Sequence, residues 1–158
     1  TQDAVFVGEC LGGALYTEDF RRLMAKLGSQ DYRLVNQSKI ALHNTDLERA
    51  AGLIEFYSMT VRAFKLDLED RCEDYGQIAV YKGGIQNCPN VFVLDNHHVF
   101  EKGKPMAVCR NTAMMLQETR YAEYFNIIGD TKTHFGLFDC GPIGTKKQNG
   151  DSAIGACC

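Results

Sequence analysis

The segment Glu55 to Leu66 (EFYSMTVRAFKL) sets Tyr57, Met59, Val61 and Ala63 against Ser58, Thr60 and Arg62 with a period of two residues. Such alternation predicts a strand with two chemically distinct faces and excludes an all-helical fold. Upstream the period changes. Phe20, Leu23, Met24 and Leu27 fall at i, i+3, i+4 and i+7, the single apolar stripe of a helix, with Thr17 as its cap, Glu18 and Asp19 in its first turn and Gly28 as its stop. Before it, Gly8 to Tyr16 (GECLGGALY) carries three glycines and reads as a short, tightly packed helix or turn.

The remaining elements are short. Tyr32 to Val35 and Ile40 to His43 read as strands, and Thr45 to Ala51 as a helix capped at Thr45. The acidic run Asp67 to Asp74 reads as a solvated loop. Gln77 to Lys82 is expected to be a strand ended by Gly83 and Gly84, followed by strands at Val91 to Leu94, Val99 to Phe100 and Met106 to Val108, and a helix over Thr112 to Arg120. From Gly141 to Cys158 the chain is Gly-rich and polar, a tail without a core of its own. The sum is an α+β fold with a mainly antiparallel sheet and a few helices.

With 45% hydrophobic and 23% charged residues, the 158-residue chain has the composition of a globular protein able to bury a core. A formal charge of -3 offers phosphate backbones no broad basic surface, so nucleic acid is not an expected partner. No apolar run approaches the ~20 residues that span a bilayer, and no membrane partner is expected. Seven cysteines is a high count for this length. Their odd number, their irregular spacing and the lack of a secretory signal argue for reduced thiols in a cytoplasmic protein.

Nucleotide cradles are missing from the pattern, since neither G-x-G-x-x-G nor G-x-x-x-x-G-K-[ST] occurs. A structural zinc site is disfavoured for want of any C-x-x-C pair, and adjacent His97 and His98 would face opposite ways on a strand, one half-buried and the other wet. Cys72, Cys88, Cys109 and Cys140 read as small hydrophobes or loop residues. Cys10 differs, because it lies in a Gly-flanked turn before a helix, where a thiol pKa can be lowered. The vicinal Cys157 and Cys158 are compatible with an adjacent disulfide, with a clamp for a thiophilic element, and with an incidental tail.

Taken together, GECLGGALY, Glu18-Asp19-Phe20, Arg33-Leu34-Val35, Phe56-Tyr57-Ser58 with Thr60, Arg62 and Phe64-Lys65, and Tyr81-Lys82-Gly83-Gly84 closely resemble the C-terminal part of the arsenite methyltransferases, over roughly residues 1 to 128. The Gly-rich tail ending in paired cysteines is similar to the tails of some members. The resemblance implies that the helix near Thr17 and the strands near 32–35 and 55–66 are the closing helix and last strands of a Rossmann-like methyltransferase fold. It implies the division 1–66 for the end of the methyltransferase and arsenic-binding region, 67–140 for a C-terminal α+β domain, and 141–158 for a Gly- and Cys-rich tail. It further implies transfer of methyl groups from S-adenosylmethionine to thiolate-bound As(III), with Cys10 as the catalytic As(III) ligand and Cys157 and Cys158 as an accessory clamp. The implied partners are trivalent arsenicals, a thiol reductant such as glutathione or thioredoxin, and the N-terminal methyltransferase domain that binds the cofactor. Because the cofactor motif is missing from this sequence, the segment alone is expected to be inactive. The alternative is a non-catalytic metalloid-binding or structural domain.

Overall fold

The computed structural model of the protein describes residues 11–140. Its first helix, α1 (Thr17–Lys26), carries the apolar stripe that the sequence predicts, yet none of its residues is buried. Thr17 is its first helical residue and not its cap; Tyr16 takes the cap position without a side-chain bond. Glu18 pairs with Arg21 at 2.7 Å and Asp19 with Arg22 at 2.8 Å, exposed i,i+3 pairs that add little to stability.

Strand β1 (Arg33–Lys39) is one continuous strand where two were expected, and Ile40 to His43 is not a strand. Helix α2 (Thr45–Ala51) has the predicted bounds, but its cap is Asn44, whose Oδ1 accepts from the Asp46 and Leu47 amides. Strand β2 (Tyr57–Arg62) is shorter than the alternating segment and pairs antiparallel with β1, from Arg33 opposite Arg62 to Lys39 opposite Tyr57, with an irregularity between Leu34 and Asn36. The hairpin is exposed on both faces over most of its length, so its alternation has no buried side to match.

The larger core lies beyond. Strand β4 (Ile78–Tyr81) is the centre of a three-stranded antiparallel sheet between β7 (Pro105–Ala107) and β8 (Phe125–Ile128). Strands β5 (Val91–Val93) and β6 (Val99–Glu101) form a hairpin, and helix α3 (Arg110–Gln117) packs on β8 with Asn111 to Leu116 all buried. Tyr81, Phe92, Phe100 and Phe125 meet as an aromatic cluster, with Leu94, Val108, Met115 and Leu116 completing a core of residues withdrawn from water. Gly83 follows β4 at φ 84°, where an added Cβ would lie 2.9 Å from the Pro89 carbonyl oxygen, so only glycine fits this turn.

The acidic run corrects the expectation of a simple solvated loop. Leu68 and Cys72 within it are buried, and Glu73–Asp74 form β3, paired antiparallel with β9 (Gly136–Leu137). These sheets and helices make the chain α+β with antiparallel pairing throughout its named strands.

Candidate thiol site

Three sulfurs converge from segments far apart in sequence. Cys72 precedes β3, Cys109 is the N-cap of α3, and Cys140 follows β9; their sulfur atoms all lie within 4.8 Å of one another. Local structure fixes each position. The amide of Phe138 donates to the Cys72 carbonyl at 2.8 Å, continuing the β3–β9 register so that the chain toward Cys140 runs beside Cys72. Cys109 Sγ accepts from the Thr112 amide at 3.5 Å and lies 3.3 Å from Thr112 Oγ1, which is the capping geometry that starts α3. Cys72 and Cys109 are buried and carry free thiols, whereas Cys140 is half-buried and disulfide-bonded.

Beside the sulfurs lies a buried polar knot. Arg33, 1% exposed, donates from Nη1 to Asp95 at 3.1 Å and from Nη2 to Asp31 at 2.9 Å and Thr112 Oγ1 at 3.0 Å, with Cys109 Sγ at 4.0 Å. Asn111 donates to Asp31 at 3.1 Å and to the Glu69 carbonyl at 2.8 Å, and accepts from the Glu69 amide at 2.9 Å. Asp95 Oδ1 accepts from the His97 and His98 amides at 2.8 Å each, and its carboxylate faces His98 Nδ1 at 2.8 and 2.9 Å. The knot ties β1, the β5–β6 turn and α3 together, and so fixes Cys109 against the rest of the fold.

Electrostatics follow from that geometry. The Cys109 thiol is held down to about 5: the hydrogen bond with Cys72 acts first, burial opposes it, and Arg33 and Thr112 add to the lowering. Cys72 moves the other way, pushed up by its hydrogen bond to Cys109 and by burial. One proton is thus shared by a pair in which Cys109 holds the negative charge. Both carboxylates touch Arg33 yet shift oppositely. Burial raises Asp31 to about 6 against Arg33 and Asn111, while for Asp95 burial is outweighed by His98, Arg33 and the turn amides, giving about 2.

The sign for stability differs accordingly. Asp95 stabilises the fold above its ordinary value of 3.8, and that contribution is lost as pH falls toward 2. Asp31 is more easily protonated in the folded chain, so its contribution is present at acid pH and is lost as pH rises from about 4 to about 6. We expect Asp31→Asn to flatten the stability loss between those pH values, a span of about 3 kcal/mol for the wild-type carboxyl, as read by urea unfolding at stepped pH. Thiolate absorbance near the far ultraviolet should persist at neutral pH and fall as Cys109 protonates near pH 5. It should move to higher pH in Cys72→Ser; an unmoved transition would show that Cys72 does not hold the Cys109 charge.

Cys10, Cys157 and Cys158 lie outside the described residues. The structure brings together three of the four cysteines that sequence reading set aside and leaves Cys88 packed beside the aromatic core. Neither His97 nor His98 is on a strand or fully wet: His98 is buried against Asp95 and His97 is half-buried. His134 faces Glu73 at 2.8 Å. Both strand-to-helix connections among the described residues, 40–44 and 108–109, lack glycine, so neither is a phosphate or dinucleotide cradle. No helix of the described residues is long and apolar enough to cross a membrane.

Comparison with known proteins gives a consistent answer. The family described as arsenite methyltransferase C-terminal domain matches residues 75–150. An arsenite methyltransferase of Aquipseudomonas alcaligenes is 48% identical over 160 residues, which is 99% of this chain and 46% of the relative. The human arsenite methyltransferase is 36% identical over 126 residues, covering 78% of this chain and 32% of the relative. The crystal structure of an arsenic(III) S-adenosylmethionine methyltransferase from Chlamydomonas reinhardtii superposes with a TM-score of 0.81 at 47% identity, covering 85% of this chain and 46% of that one. The chain thus spans less than half the length of the relatives it matches. By these matches, and by the α+β architecture shared with the solved structure, the chain belongs to the arsenite methyltransferase family, as its C-terminal part.

Proposed function

We propose that the chain is the C-terminal part of an enzyme that transfers methyl groups from S-adenosylmethionine to thiolate-bound As(III), and that it is inactive by itself. The observation that carries this reading is the partial match to a solved arsenic(III) methyltransferase, 85% of this chain against 46% of that one. S-adenosylmethionine would be bound by the N-terminal methyltransferase domain, because the described residues do not fit it: both strand-to-helix turns lack the glycines that a cofactor cradle needs. Cys10 is assigned as the As(III) ligand, Cys157 and Cys158 as an accessory clamp, and a thiol reductant such as glutathione or thioredoxin as the source of reducing equivalents, in a cytoplasmic setting. The domain limits 1–66, 67–140 and 141–158 belong to the same reading.

An uncovered apolar surface supports it. Leu23 and Leu27 of α1 are 44% and 63% exposed, and Leu15, Tyr16, Ile54, Tyr57 and Met59 line a cleft of ≈ 600 Å³ on the hairpin side. Apolar surface of this kind marks a docking face, here for the N-terminal domain. Mixing the chain with the N-terminal part of the Aquipseudomonas alcaligenes relative should give a one-to-one complex in analytical ultracentrifugation. Leu23→Glu with Leu27→Glu should dissolve that complex without changing the circular dichroism of the chain. A complex that is indifferent to both substitutions would move the docking face elsewhere.

A further inference from the structure

We propose that Cys72 and Cys109, joined by Cys140 once its disulfide is reduced, form a second site, separate from Cys10, for a trivalent, three-coordinate thiophilic element such as As(III). The site is defined by its geometry and stands independently of the methyl-transfer reading.

Three sulfurs within 4.8 Å of one another are close to the spacing that a shared ion imposes. With element–sulfur bonds of about 2.3 Å and the roughly 100° angles of a pyramidal three-coordinate centre, ligand sulfurs end about 3.5 Å apart, so closing the site needs contraction of about 1.3 Å at most. The three sulfurs of the cluster suffice for a trivalent element with a lone pair, which is satisfied by three bonds, whereas a structural zinc site takes four ligands.

Charge points the same way. Arg33 is already matched by Asp31 and Asp95 in the buried knot. A divalent ion on three thiolates would leave in place the negative charge that Cys109 already carries, and an unpaired buried charge is costly. A trivalent element on three thiolates is neutral. The exchange balances: the neutral trihydroxide reacts with the Cys109 thiolate and the Cys72 and Cys140 thiols, three oxygen bonds break, three sulfur bonds form, and two waters and one hydroxide leave. Cys140 supplies the route. It is half-buried while its two partners are buried, so the ion reaches the pair past Cys140. A phosphine or thiol reductant that opens the Cys140 disulfide therefore completes the site, and the Cys72–Cys109 pair is its core in either redox state.

The test uses the full 158-residue chain, reduced with a phosphine and titrated with arsenite, without S-adenosylmethionine or any N-terminal domain. A Cys10→Ser, Cys157→Ser, Cys158→Ser triple variant isolates the proposed site, and native mass spectrometry counts bound arsenic. One equivalent should still bind to the triple variant. Adding Cys72→Ser or Cys109→Ser should weaken binding at least about 100-fold, and Cys140→Ser about 10-fold, as expected when one bond of a chelate is removed. As a check that needs no substitution at the site, saturating arsenite should protect Cys72 and Cys109 of the unsubstituted chain from alkylation, as mapped by peptide mass. Loss of all binding in the triple variant, or alkylation of Cys72 and Cys109 at an unchanged rate, would overturn the proposal. Neither outcome bears on methyl transfer, which the proposed function assigns to the intact enzyme.

Discussion

Arg33→Met is expected to destabilise the chain by about 3–5 kcal/mol, the usual cost of breaking a buried ion pair by removing one partner. The substitution leaves Asp31 and Asp95 buried without their guanidinium, and it removes the donor to Thr112 Oγ1. Arg33→Lys should recover only part of the loss, because one ammonium cannot span two carboxylates and a hydroxyl as a planar fork does. Urea unfolding measures the effect directly. A second readout separates electrostatics from packing: without the cation the Cys109 thiol should titrate at a higher pH. A loss below about 1 kcal/mol, the scale of an exposed pair, would mean that Arg33 does not bridge β1, the β5–β6 turn and α3.

Phe100→Ala should cost a similar amount, about 3–5 kcal/mol, by a different route. Its ring is fully buried, meets Phe125 edge-on at 5.1 Å and lies parallel to the His98 ring at 6.1 Å. Truncation opens a cavity in the aromatic core and loosens the turn that holds Asp95, so the two predictions are coupled. The double variant Arg33→Met, Phe100→Ala should be destabilised by less than the sum of the singles, because both act through the β5–β6 turn. Strict additivity would separate the core from the knot.

Much of the fold was legible where local chemistry speaks for itself. The helix at 45–51 is bounded by an acidic first turn and a glycine, and β4 to β7 are apolar runs punctuated by turn residues. The caps lie one residue before the expected threonines at both N-terminal helices, at Tyr16 and Asn44. Strands β8 and β9 gave no usable signal: they are four and two residues long, and their pairing with β4 and β3 is decided by tertiary contact and not by period. The acidic run hid Cys72 because five carboxylates around it suggest solvent, while the β3–β9 pairing draws its one cysteine inward.

The thiol cluster could not be read from spacing. Its three members come from separate parts of the chain and form no short-range ligand pattern, so only the fold brings them together. One hint was present. Asp31 and Arg33 are two apart at the start of a strand, a spacing that puts both on one face, and an oppositely charged pair there invites the question of what it faces. The stripe of α1 is the opposite case: the sequence shows it plainly, and in the structure Phe20 and Met24 are half-buried, Phe20 edge-on against Tyr32, while Leu23 and Leu27 stay exposed.

The central proposal is that the chain is one part of a methyl-transfer enzyme. Arsenite, S-adenosylmethionine and a thiol reductant should be incubated with the chain alone and with the chain plus the N-terminal part of the Aquipseudomonas alcaligenes relative, and methylated arsenic quantified by chromatography. The predicted result is no product from the chain alone, product on mixing, and loss of that product with Cys10→Ser. Methylation by the chain alone would contradict the account.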